Sequence, residues 1–339
     1  MATETPREAD ASEPDRSDAG AAGGDGDAAP PHPAFADYLD EPVPQAAVGS
    51  PGKSGRLELR FGADADGDTN LTRDFARVPF HVSGTLGHDP HPDAETVYVQ
   101  SPTGGVAQGD RHSIEISVGP DAVAHVSTQS ATKVLSMECN CAIADVSLSV
   151  ESGGHLDYVP APAILHADAR YCQDLTVDLA AGASAVVGDV VVPGRLAREE
   201  RFEFERYAAR CRVRQEGTLA VDDATHLHPA DADPTAPGVL GEFAVYGTLY
   251  VLAPDADAAD LSDRLHERAS DATPPPGSGD GGPDDAAVRA GATALPNGAG
   301  VAVRALGHRA GPVMETLHAA WSAGREELLG VGAPDARRP

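Results

Sequence analysis

The sequence predicts a mainly β protein: an elongated, multi-stranded antiparallel or mixed β-fold with one or two helices near its C-terminal end. Two observations carry that expectation. Short alternating or continuous apolar segments recur about every 8 to 12 residues, with glycine, proline or aspartate between most of them. Helical periodicity appears only late, at Ala256–Ala269 and Pro312–Leu329. Alternating βα units are excluded by that order.

The elements follow in sequence. Met1 to about Ser50 is rich in Ala, Asp, Gly, Pro and Glu without sustained periodicity, which reads as a disordered acidic extension. Residues 51–339 read as a single domain. Arg56–Phe61 alternates as a strand. Gly62–Asn70 is an acidic turn whose Asp64-Ala-Asp-Gly-Asp68 opens like a calcium loop. It lacks the later Glu and the flanking helices of that motif. Arg77–Val82 and Thr96–Gln100 are further strands. A Gly-rich turn follows at Thr103–Asp110, with Gly104, Gly105 and Gly109 before Asp110. Next come strands Ser113–Val118 and Ala122–Ser127, joined by a Gly-Pro-Asp turn, and a polar run ending in Thr132-Lys133. No Lys-Ser/Thr follows the glycines, and a strand rather than a helix comes next, so this is not a phosphate loop.

Val146–Val150, Leu175–Leu179, Ser184–Val192, Arg201–Tyr207, Arg210–Arg214, Thr218–Val221, Gly241–Leu252 and Gly300–Leu306 complete the strands. A flexible Pro/Gly/Asp-rich insertion is expected at about 270–298. In the last helix Val313, Leu317, Ala320, Trp321, Gly324 and Leu328 recur at three- and four-residue steps.

The chain carries 53 acidic against 25 basic residues, a net charge of −28. Its only lysines are Lys53 and Lys133. This suits a protein from an extreme halophile, because the Debye length falls to about 3 Å in molar salt and screens self-repulsion. Nucleic-acid binding is disfavoured by the same charge. No membrane-length apolar run or signal region is seen, so the expectation is a soluble, cytoplasmic protein with reduced cysteines.

No nucleophile elbow, HExxH or paired CxxC occurs. Cys139 and Cys141 would share a face of a strand and offer two thiolates to a soft metal; incidental reduced cysteines are the alternative. His226 and His228 have the same spacing. Asp189 lies within Ala-Val-Val-Gly-Asp-Val-Val-Val, where an unpaired carboxylate costs several kcal/mol. It must be paired, with Arg195 or Arg198 at hand, or hydrated, or turned toward an internal water path.

Four segments in register resemble the urease accessory protein family UreD (UreH). They are Gly104-Gly-Val-Ala-Gln-Gly-Asp110 with its strand pair, Leu156–Ile164, Val192–Phe202, and the closing helix with Trp321, Arg325 and Leu328-Leu-Gly330. The likeness spans about Gly55 to Gly330. It implies a non-enzymatic scaffold for nickel insertion into apo-urease, binding urease and UreF, with the GTPase UreG joined through UreF. It implies no tightly bound cofactor, only transient Ni²⁺ in a water-filled passage. Oxygen donors would release that ion where thiolates would trap it. Asp110, Thr132, Asp189 and Asp222 are the expected lining, and Lys133 can equally pair with Asp110. Gly194, Arg195 and Glu200 match a motif in which the family has glycine at the position of Glu199. Leu317, Trp321, Arg325 and Leu328 are expected to help form the UreF-facing surface. Two other classes stay open: a carbohydrate-active enzyme using Asp189 and Glu200, and a plain β-rich adaptor with no metal role.

Overall fold

The computed structural model describes residues 32–43, 52–273 and 287–335. A short helix α1 (Ala36–Leu39) precedes a series of strands: β1 (Ser54–Ala63), β2 (Thr69–Arg77), β3 (His81–Leu86), β4 (Ala94–Gln100), β5 (Arg111–Val118) and β6 (Val123–Thr128). These continue as β7 (Thr132–Val134), β8 (Ala142–Val150), β9 (His155–Tyr158), β10 (Ala163–Leu165), β11 (Arg170–Leu179) and β12 (Ser184–Val192). Then come β13 (Arg206–Gln215), β14 (Thr218–Leu227), β15 (Val245–Leu252), helix α2 (Ala258–Asp271), β16 (Val288–Ala294), β17 (Gly300–Gly307) and helix α3 (Ala310–Leu329).

Two sheets face each other. The first runs β14-β13-β11-β8-β5-β1-β2, and the second β16-β17-β15-β12-β9-β6-β4-β3. From β4 to β13 the chain passes back and forth between them, so each sheet has a parallel centre and antiparallel margins, stacked as in a solenoid. The Gly119–Asp121 turn therefore does not close a hairpin. It carries the chain from β5 in one sheet to β6 in the other.

The sequence pattern follows from which faces are covered. The first sheet buries one face, and β8 accordingly alternates: Val146, Leu148 and Val150 point inward while Ser147 and Ser149 point out. The second sheet is covered on both faces. One face meets the first sheet; the other meets α2 and α3 through Val186, Val190, Val251, Leu261, Leu265 and Leu317. Hence β12 and β15 read as nearly unbroken apolar runs.

Several boundaries differ from expectation. Arg201–Tyr207 and Arg210–Arg214 were two expected strands; β13 is one, beginning at Arg206. β14 runs on to Leu227, so Asp222 lies inside it rather than after it. Asp64 accepts hydrogen bonds from the backbone N–H of Asp66 and Asp68 and from Asn70 Nδ2, so its carboxylate closes the β1–β2 turn. The expected insertion at 270–298 contains edge strand β16, held antiparallel to β17, and the end of α2; residues 274–286 lie outside the described residues. Part of the expected N-terminal extension belongs to the domain. Phe35 is fully buried against Cys141, Cys172 and Ala208, and Tyr38 Oη donates to Glu205 at 2.6 Å. Residues 1–31 and 44–51 lie outside the described residues. Among those described, no helix is long and apolar enough to cross a membrane.

Candidate functional site

One in-register row of the first sheet is small or polar where its neighbours are apolar. Gly55, His112, Ala144, Gln173, Ala209 and Thr225 align across β1, β5, β8, β11, β13 and β14. The next row holds Leu57, Ile114, Val146, Leu175 and Cys211 and packs tightly. Small side chains cannot fill the space between two sheets, so this layer opens into cavities. One, of about 170 Å³, is lined from the Gly-rich turn through Thr132, His112 and Tyr158 to Asp189. A second, of about 30 Å³, continues from Asp189 toward Asp223, Tyr246 and Tyr250. Gln173 and Asp189 line both.

Asp189 sits where the two meet. On β12 the odd positions Val187, Asp189 and Val191 face the first sheet; Val186 and Val190 face the helices. Among the described residues Tyr207 Oη donates to its side chain, at 3.2 Å from Oδ2. Among the described residues no arginine pairs with it: Arg195 is paired with Glu200, and Arg198 is exposed on the surface. Burial pushes the Asp189 carboxyl up to about 6, and the Tyr207 hydrogen bond only partly offsets this. Tyr158, Tyr171 and Tyr207 surround it, their phenols driven upward first by their own burial and then by the charge on Asp189, which for Tyr171 comes after that of Tyr158. The result is a lone carboxylate, its charged form disfavoured by burial, in a mostly phenolic shell.

The other predicted residues divide. Thr132 lines the first cavity, and Lys133 stands at its mouth. Asp110 does not line it. It is fully buried, accepting from the backbone N–H of Lys53 at 2.8 Å and of Ala107 at 2.9 Å, with Lys53 Nζ at 3.8 Å. Its charge fastens the Gly-rich turn to the start of β1, and Lys53 rather than Lys133 is its cation. Within that turn Gly105 has φ +145°, and a Cβ there would lie 2.6 Å from the Lys133 carbonyl oxygen. Gly104 and Gly109 also take positive φ. Asp222 faces outward on β14, in a bidentate pair with Arg210 at 2.8 and 2.5 Å. The carboxylate that reaches the cavity is its neighbour Asp223, which accepts from Tyr250 Oη at 2.7 Å and pairs with Arg304.

Glu200 is buried, accepting from the Ala167 N–H at 2.8 Å and from Arg195. It joins the segment after β12 to the one after β10 and lines neither of the cavities that Asp189 lines. Gly194, at φ +142°, lets the Glu200 carbonyl approach to where a Cβ would stand, 2.1 Å away. Glu199 takes φ +61°, so the backbone a glycine would adopt is kept here by a residue that resists it.

Cys139 and Cys141 lie in the turn before β8, not on a strand face. Burial pushes the Cys141 thiol up to about 11. His226 packs against His32 with ring centroids 4.5 Å apart and planes tilted by 38°, and His228 meets Asp231 and the Arg206 guanidinium. Among the described residues no three His, Cys, Asp or Glu side chains converge to hold a metal.

The closing helix turns its predicted partner residues inward. Leu317, Trp321 and Arg325 are buried, and Leu328 packs on the same cluster. Arg325 is 0% exposed and binds Asp89 and Asp157, with distances of 2.9 and 2.8 Å from Nη1. Trp321 Nε1 donates to Asp157 at 2.7 Å. Burial alone would raise Asp157, but His155, Arg325 and His125 hold it down to about 2. Asp89 and Asp157 went unnoticed in the sequence, although a charged residue on an apolar helical stripe requires such partners.

Fold and cavities together define a double-sheeted β-scaffold with a carboxylate-centred polar interior. The family model for the UreD urease accessory protein matches residues 53–339. A urease accessory protein UreD of Haloarcula marismortui is 65% identical over 91% of this chain and 98% of its own length. The corresponding protein of Natronomonas pharaonis is 47% identical over 90% and 98%. That of Yersinia enterocolitica is 34% identical over 89% and 91%. The chain belongs to the UreD urease accessory protein family.

Proposed function

We infer that this chain is a non-catalytic, cytoplasmic scaffold for urease maturation. It bridges apo-urease to UreF and, through UreF, to the GTPase UreG, and nickel crosses it between the two sheets. The observation that supports conduction is the position of Asp189, an arginine-free carboxylate lining both inter-sheet cavities. Nickel is cargo here, so weak oxygen donors are the suitable lining; a set of thiolates would retain it. Thr132, Gln173, Asp189 and Asp223 supply such donors, with the tyrosine hydroxyls between them. Asp110, buried inside the Gly-rich turn, and Asp222, facing outward on β14, line neither cavity and serve the frame instead, whereas Asp223 lines the second cavity while paired with Arg304.

The test is Asp189→Asn in the assembled complex. The variant should fold and retain UreF and apo-urease, yet leave urease poorly loaded with nickel. Normal loading in the intact complex would exclude Asp189 from any metal route. Loss of folding or of partners would assign it a structural role.

A further inference from the structure

A third concavity, which Asp189 does not line and which shares only Lys133 with the first cavity, carries the opposite charge. It is an open basin of about 930 Å³ at one end of the second sheet. Its rim is built by Lys133 on β7, His166 after β10, Arg195 and Arg198 around the single-turn helix Leu196–Arg198, and His308 and Arg309 ahead of α3. Among the described residues no Asp or Glu lines it, in a chain where acids outnumber bases 53 to 25. One of only two lysines in the sequence stands on it. Arg195 is engaged with Glu200, but Lys133 and Arg198 are exposed. The concentration of positive charge is felt by His166: its imidazole is lowered first by burial and then by Arg195, opposed by Glu200, with Lys133 and Arg198 adding to the depression. The first turn of α3 has neither a side-chain cap nor an acidic residue, so its N–H groups add to the same positive field.

The floor is apolar, formed by Ile164, Val192 and Leu196. That mixture selects the occupant. A bare oxyanion needs converging donors and gains nothing from an apolar floor. In molar salt a diffuse field is screened within about 3 Å, so only contact ion pairs and buried apolar area retain value. We propose that the basin seats an acidic, apolar-bearing peptide segment of a partner protein, its carboxylates on Lys133 and Arg198 and its apolar side chains on the floor. The proposal is independent of whether nickel crosses between the sheets.

The experiment uses the full chain in molar KCl. The probe is a short fluorescein-labelled peptide in which Glu and Asp alternate with Leu and Phe, read by anisotropy. Saturable binding is expected. Arg198→Glu and Lys133→Glu should each weaken it about tenfold, since each turns a contact ion pair into a like-charge one. Arg77→Glu, on the exposed strand β2, should leave it unchanged. A Glu-only peptide should bind more weakly than the alternating one, and inorganic phosphate should not displace it. Near-ultraviolet circular dichroism verifies that each variant is folded. The proposal is overturned by the absence of saturable binding, by equal loss in Arg77→Glu, or by indifference of folded variants at both Arg198 and Lys133. Displacement by phosphate would overturn it in favour of a simple oxyanion site.

Discussion

Replacing Asp189 by Asn should stabilise the protein at neutral pH. The carboxyl rises from 3.8 in a free chain to about 6 in the fold, so the folded state disfavours its charged form. At about 1.4 kcal/mol for each pKa unit this amounts to roughly 3 kcal/mol, an upper bound because nearby cavity space admits water. The native state holds the proton to higher pH than the unfolded chain does. The stability connected with this group is therefore full below about pH 4, is lost as pH rises through about 6, and stays flat above that. Asn is neutral throughout, is nearly isosteric, and can accept the Tyr207 hydrogen bond. Denaturant unfolding in molar KCl should show the variant equal to wild type near pH 4 and about 1–3 kcal/mol more stable above pH 6. A variant less stable than wild type at neutral pH would refute the reasoning, since it would mean that the carboxylate is favourably paired in the fold.

Three further outcomes follow from the packing. Arg325→Met should cost about 3–5 kcal/mol by equilibrium unfolding, because Asp89 and Asp157 are left buried without their cation; truncation at Gly311, which removes α3 from the second sheet, should likewise prevent folding instead of leaving a soluble β-core. Glu199→Gly should stabilise by up to about 1 kcal/mol, relieving a left-handed backbone at a non-glycine residue; a destabilised variant would show that the Glu199 side chain contributes more than the strain costs. The melting temperature should rise with KCl over the molar range, as screening relieves the −28 net charge; greatest thermal resistance at low salt would contradict the halophilic reading.

How much the sequence disclosed depended on how local each signal was. Asp189 was visible because one charge stood in a strand otherwise apolar on both faces, and burial on both sides is what such a strand reports. The polar layer it faces was not visible. Gly55, His112, Ala144, Gln173, Ala209 and Thr225 are unremarkable one at a time, and only the register of strands far apart in sequence aligns them. The choice between Asp222 and Asp223 was within reach: Val221 faces inward, and strict alternation puts Asp223 on its side and Asp222 outside. Helix α3 was recognised by its period, but a period does not say what covers the apolar stripe. Leu317, Trp321 and Arg325 pack into a buried cluster of their own chain. The solenoid-like alternation between sheets was hidden because a Gly-Pro-Asp turn reads the same whether it closes a hairpin or an arch.

The proposed passage can be tested by filling it. Gln173 lines both cavities from β11, while Asp178 stands on the outer face of the same strand. Nickel bound per urease site should be measured after activation by the assembled complex carrying Gln173→Phe, with Asp178→Phe as the matched control. A route between the sheets predicts slow, incomplete loading with Gln173→Phe and normal loading with Asp178→Phe, both in complexes of wild-type composition. Wild-type loading through the plugged protein would contradict the account.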